Sequence, residues 1–110
     1  MYKQGDILLI PIPYTNLTTT KQRPVLVLSN NMYNQNTDDI LVAAITSQLK
    51  DIDYSVVINT EDLSEGELRK TSAIRADKLY TLSKQIVKRK FGHVHKNILD
   101  DVTVKINELL

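Results

Sequence analysis

Lys21-Gln22-Arg23-Pro24-Val25-Leu26-Val27-Leu28-Ser29 is the stretch from which the architecture can be read. From Pro24 to Ser29 it is a short apolar run of strand character, and the polar, turn-forming stretch Asn30 to Asn36 follows it directly. Outward in both directions the same pattern recurs. Strand-like runs cover Asp6 to Ile12, Ile40 to Ile45, Tyr54 to Ile58, Ala73 to Arg75 and Gln85 to Lys88, and most are rich in Ile, Val and Leu. Between them lie polar connections such as Tyr14 to Thr20 and Asn59 to Lys70. Pro11 and Pro13 end the first strand or confine it to an edge, because proline cannot donate to a ladder. The period then changes in the tail from Lys96 to Leu110, where Ile98, Val102, Ile106 and Leu109 recur at helical intervals. The fold expected is mainly β with short helices: a small barrel closed by a C-terminal amphipathic helix.

At 110 residues the chain suits one domain, residues 1–110. No apolar run approaches the roughly 18 to 20 residues of a membrane-spanning helix, so a soluble protein is expected. Met1 to Asp6 meet the first strand almost at once, which leaves no room for a signal peptide and makes the cytoplasm the expected location. The absence of cysteine excludes disulfides and thiolate chemistry. His93 and His95 are too few for a histidine-based metal site without carboxylate help, so neither a metal nor a cofactor is expected.

The net charge of +1 argues against a generic nucleic-acid coat, but the charge is unevenly placed. From Asp38 through Glu67 it is acidic except for Lys50, whereas Lys78, Lys84, Lys88, Arg89, Lys90 and Lys96 form a wholly basic series. That series reads either as one basic face or as a solvated edge whose lysines discourage strand-to-strand aggregation.

Most enzyme classes drop out for want of their motifs. The chain has no glycine-rich phosphate loop, no nucleophile elbow and no His-Glu-x-x-His, and its single Phe with no Trp offers little of a cofactor cradle. What remains is Arg23, the pair Thr46-Ser47 at the end of the third apolar run, and Arg75-Ala76-Asp77-Lys78. An arginine at the edge of a β-branched run can be aimed by a rigid scaffold, and its permanently charged fork matches two phosphate oxygens. These residues suit phosphodiester cleavage. Each also has a plain structural reading: Arg23 as a surface residue at a strand entrance, Thr46-Ser47 as a turn cap, and Arg75 with Asp77 as a same-face salt bridge. Tyr14, Tyr33 and Tyr80 can stack unpaired bases or simply pack. Nothing nearby in sequence orients His93 or His95, which are read as non-catalytic, and Glu61-Asp62 and Glu65 to Glu67 are read as a solvated loop.

Four motifs in order complete the picture: Gly5-Asp6-Ile7-Leu8, Lys21-Gln22-Arg23-Pro24 with Val25 to Ser29, Ala44-Ile45-Thr46-Ser47, and Ser72-Ala73-Ile74-Arg75-Ala76-Asp77-Lys78-Leu79. With Gly92 before the terminal helix, they make the chain resemble the MazF/PemK family of type II toxins over nearly its whole length. The resemblance implies an SH3-like β-barrel, usually a homodimer, that cleaves single-stranded RNA sequence-specifically and without metal. The 2'-hydroxyl would attack, leaving a 2',3'-cyclic phosphate and a 5'-hydroxyl. Two role assignments come with the family, mapping either onto Arg23 and Thr46 or onto Arg75 and Asp77. The second is helped by a histidine in the first loop, and Tyr14 to Gln22 contain none, so Arg23 and Thr46 are favoured. The arginine then acts first as an electrostatic stabiliser, its pKa being too high for a good acid, and the threonine positions the 2'-hydroxyl.

The implied RNA path runs over the loops Ile12 to Gln22 and Asp51 to Asp53, with Lys21, Gln22, Tyr14, Thr15, Ser47 and Lys78 as binding residues. The implied partner is a cognate antitoxin whose disordered acidic segment covers the arginine-bearing groove. The rival reading shares the fold: a CcdB-like poison that binds DNA gyrase and does no chemistry, and so has no need of Arg23 and Thr46.

Overall fold

In the computed structural model of the chain, which describes residues 1–13 and 20–110, seven strands join in one sheet. They are β1 (Asp6–Pro13), β2 (Thr20–Val27), β3 (Asp39–Thr46), β4 (Ser55–Ile58), β5 (Leu63–Glu65), β6 (Ser72–Ser83) and β7 (Arg89–Val94), in the spatial order β4-β6-β3-β2-β1-β7-β5. Two α-helices accompany them, α1 (Asn31–Asn36) and α2 (Lys96–Leu109). The expected barrel is a half-barrel, a curled sheet ending in β4 and β5, closed by the terminal helix as anticipated. Among the described residues no helix is long and apolar enough to cross a membrane.

Strand alternation divides the core in two. Ile7, Leu26 and Ala43 are cross-strand partners in one row and belong to a cluster with Ile45, Ile74 and Val94, onto which α2 lays Ile98 and Val102. The next row, Leu8 with Val25, points to the opposite face, where Ile10, Val27, Ile40 and Val42 join it. Helical spacing puts Ile98, Val102 and Ile106 on one stripe of α2, and burying that stripe is what holds so short a helix.

The prolines govern where the ladders stop. Leu9 turns its carbonyl toward β7, accepting the Lys88 N–H at 2.8 Å, so Pro11 and Pro13 face that same side beyond the last β7 pairing. They therefore lie on a local edge, as expected from their missing N–H groups. Pro24, in register with Leu9, faces β3 instead, and the β2–β3 pairing covers only Val25 to Val27. With no N–H to extend that ladder, the two strands part at Pro24.

Four elements differ from the sequence reading. Ala73 to Arg75 is the start of a strand that continues to Ser83, its apolar alternation hidden by a bulge: Ala43 pairs with Leu79 but Ala44 with Arg75, leaving Ala76, Asp77 and Lys78 as extra residues. Gln85 to Lys88 is not a strand. A 3-10 turn spans Lys84–Ile86, capped by Ser83, and the strand begins only at Arg89, where the basic side chains Arg89 and Lys90 mask its character. Within Asn59 to Lys70 lie a 3-10 turn and the short β5. That segment approaches β7 so closely that a Cβ at Gly66, whose φ is +87°, would lie 2.5 Å from the Phe91 carbonyl oxygen, and one at Gly92 would lie 2.6 Å from that of Glu65.

Finally, the polar run after Ser29 forms α1 rather than an open turn. Asn30 caps it by accepting the Tyr33 N–H at 2.8 Å, and Asn34, fully buried, donates to the Ser29 carbonyl at 2.9 Å. The Lys84 ammonium donates to the Asn34 carbonyl, closing the helix against the 3-10 turn. Asn30→Ala is expected to cost about 1 kcal/mol, the usual worth of such a cap, read as a lower urea midpoint at unchanged slope.

Candidate active site

The parting of β2 and β3 at Pro24 opens a cleft of about 620 Å³ on the face of the sheet opposite α2. Alternation delivers the side chains to it. Arg23 pairs with Ile10 and Arg75 with Ala44, which places both arginines on the Leu8–Val25 face, and both line the cleft together with Thr46, Lys78 and Tyr80. Its floor is apolar, with Ile10, Pro24, Val25, Leu82 and Ile86. The result is a greasy trough rimmed by three cations, a shape suited to a polyanion whose bases are unstacked.

The bulge in β6 sets the far wall. Of its extra residues Ala76, Asp77 and Lys78, Ala76 is fully buried and its N–H donates at 2.9 Å to the carbonyl of Tyr54. Tyr54 adopts φ +50° and Asp51 φ +58°, so the loop bearing Asp51 to Asp53 is folded tightly back beside Arg75. Within the bulge, Arg75 grips Asp77 through two parallel bonds, Nε to Oδ1 at 3.0 Å and Nη2 to Oδ2 at 2.7 Å. Those bonds hold the Asp77 carboxyl below the usual carboxylate range and the Arg75 guanidinium above its own ordinary value. Asp77 is thus an ionised carboxylate of weakened basicity.

Thr46 stands at the end of β3, where its Oγ1 accepts the Gln48 N–H at 3.1 Å. That is the turn-capping role open to it from sequence. The Thr46 oxygen is the acceptor in that bond, so capping holds the hydroxyl without using its proton.

Of the expected RNA-contacting residues, Lys78 lines the cleft. Lys21 is exposed on the same face of β2, two residues from Arg23, while Gln22 falls on the opposite face and Ser47 lies exposed just past β3. Tyr14 and Thr15 lie outside the described residues. Tyr80 forms part of the cleft wall, whereas Tyr33 sits on α1 beside a separate hollow. The apolar floor residues Leu82 and Ile86 escaped the sequence reading because the bulge hides the register of β6 and the strand reading of Gln85 to Lys88 was mistaken.

The basic series does not form one face. Lys84 is tied to α1, Arg89 lies 5.8 Å over the Phe91 ring, and Lys90 reaches Glu65 at 3.1 Å and Asp6 at 3.4 Å. The Glu65 hydrogen bond pushes the Lys90 ammonium above its ordinary value. Contrary to the sequence reading, His93 does have an orienting partner: its Nδ1 lies 2.7 Å from Oδ1 of Asp6, a carboxylate only 1% exposed that also accepts the Lys3 N–H at 2.8 Å. This pair ties the N-terminal turn to β7 and is not among the residues lining the cleft.

Comparison with known proteins bears on fold and family. Endoribonuclease EndoA of Bacillus subtilis (strain 168) is 27% identical over 101 residues, spanning 91% of this chain and 86% of that protein. Among solved structures, MazE–MazF from Deinococcus radiodurans superposes with a TM-score of 0.80 at 19% identity, covering 98% of this chain and 94% of that one. An endoribonuclease from a mycobacterial species, solved with its cognate antitoxin, gives 0.79 at 20% identity, covering 98% and 93%. These structures share the half-barrel and its terminal helix. A family profile decides the matter of kinship, since it matches residues 3–110 and so takes in every element that builds the cleft. The chain belongs to the PemK-like, MazF-like toxins of type II toxin–antitoxin systems.

Proposed function

We propose that the protein is an endoribonuclease toxin that cuts single-stranded RNA in this cleft, with no metal in the reaction. The observation that carries the reading is the convergence of Arg23, Thr46 and Arg75 on one trough. Family membership and the EndoA relative support it. In the reaction the 2'-oxygen attacks the adjacent phosphorus as its proton passes to solvent water, and the bond from phosphorus to the 5'-oxygen breaks as that oxygen takes a proton from water. The products are a 2',3'-cyclic phosphate and a 5'-hydroxyl. Charge builds on the non-bridging oxygens in between, and a guanidinium fork stabilises it without giving up a proton. Arg23 has that role, and Thr46, its oxygen pinned by Gln48, positions the 2'-hydroxyl.

Lys21, Gln22, Tyr14, Thr15, Ser47 and Lys78 are proposed to guide the strand, with Arg75 and Asp77 as the second pair at the site. The protein acts in the cytoplasm as a homodimer, and its antitoxin covers the same cationic rim with an acidic segment that orders on binding. Primer-extension mapping of a long RNA incubated with the protein in EDTA tests the activity. Cuts recurring at one short sequence, with 5'-hydroxyl ends, are expected. An intact RNA after incubation with well-folded protein would overturn the reading in favour of a poison that targets a protein.

A further inference from the structure

The Arg75–Asp77 pair is more than a neighbouring salt bridge, because of which edge of the guanidinium it uses. Asp77 engages the Nε–Nη2 side, which leaves Nη1 and the outer end of the fork for another anion. Arg75 lines the cleft while Asp77 does not, so the pair stands at the border between trough and bulge. Each side chain is 29% exposed, and the backbone beneath them is fixed by the Ala76 bond to Tyr54. A long arginine held at one edge by two bonds loses most of its rotamer freedom before a ligand arrives.

We infer that Asp77 is a positioning residue for the RNA-cutting reaction: it presents the outer end of Arg75 to a backbone phosphate of the substrate, and no proton passes through it. The inference rests on the endoribonuclease reading of the cleft. A general base works best with a pKa near the operating pH, and the Arg75 bonds move the Asp77 carboxyl away from that range. The charged and titratable groups around the pair are Arg23, Lys78 and Tyr80 on the trough, with Tyr54 and the carboxylates Asp51 and Asp53 on the loop folded back beside Arg75. The two bonds from Arg75 outweigh the rest, and the Asp77 carboxyl is held low. The sign is therefore clear: Asp77 takes up a proton only as the pH falls below the ordinary carboxylate range, and it contributes no acid limb to the rate between about pH 5 and 8.

Cleavage kinetics on an end-labelled RNA, for the native protein, Asp77→Asn, Arg75→Ala and the double variant, test this. Asp77→Asn is expected to raise KM about tenfold with kcat within about threefold, as loss of a preorganised phosphate contact would. Its pH profile keeps the native shape. The double variant is no worse than Arg75→Ala alone, because Asp77 acts only through Arg75. A hundredfold fall in kcat with a lost acid limb would make Asp77 a proton carrier and overturn the inference. So would unchanged kinetics, or losses that add in the double variant. A second measurement, anisotropy of an oligonucleotide carrying deoxyribose at the mapped cut, reads phosphate binding without chemistry. Asp77→Asn weakens it about tenfold if the inference holds and leaves it unchanged if not. An inactive native protein would instead count against the endoribonuclease reading itself.

Discussion

Arg23→Ala is expected to lower kcat/KM for RNA cleavage by about 10²- to 10³-fold, the usual loss when one preorganised donor to a developing oxyanion is removed. The unfolding midpoint should change little, since Arg23 is only half buried and its neighbours Pro24 and Val25 keep their packing. The size of the effect follows from the site. The floor of the trough is apolar, so the charge is felt there with less screening than at an open surface. Arg23→Lys separates charge from shape: the ammonium keeps the charge and loses the fork, and its activity should fall between native and alanine. The check is a single-turnover rate at saturating protein on an RNA with a mapped cut, read beside a urea melt. A folded Arg23→Ala protein cutting at the native rate would move the principal role to Arg75.

The largest loss of stability is expected from Gly66→Ala. Two costs add there. A side chain at φ +87° is strained by about 1 kcal/mol, and a Cβ placed 2.5 Å from the Phe91 carbonyl must displace backbone, at about 1–3 kcal/mol more. The total of about 2–4 kcal/mol should lower the melting temperature by on the order of 10 °C in a chain of this length. Gly92→Ala meets the Glu65 carbonyl but carries no positive φ, and should lose less. Calorimetry of the two variants side by side checks the order. Equal or negligible losses would mean that β5 shifts away from β7 at little cost.

How much of this was legible beforehand depends on what each residue answers to. The run Pro24 to Ser29 and the stripe Ile98, Val102, Ile106, Leu109 obey local periodicity and marked a strand and a helix, although the strand lies at Thr20–Val27 and Leu109 is exposed. The proline reading of Pro11 and Pro13 also held, because a missing N–H means the same thing in any context. The failures lie where distant partners decide. Arg89 and Lys90 are unpromising strand residues until Phe91, Asp6 and Glu65 are found beside them. Nothing local announces that Asp6 will meet His93 across the sheet. At the site, sequence singled out Arg23, Thr46, Arg75 and Lys78, which the fold brings to one trough, but not the apolar floor beneath them. That floor depends on register beyond the bulge in β6, and a bulge of three residues leaves no signature that composition can carry.

The division of the sheet into a helix-covered face and a cleft-bearing face has a consequence for how such a protein can change over time. The larger buried cluster, from Ile7 to Val102, lies under the helix, while the cleft opens on the other face above a smaller one. Drift at the rim of the trough therefore leaves the larger cluster untouched. On the proposed reading of the trough as the RNA site, changes at Tyr80, Ile86 or Lys78 retune recognition without first requiring stability to spare, and a partner proposed to cover the trough is obliged to follow.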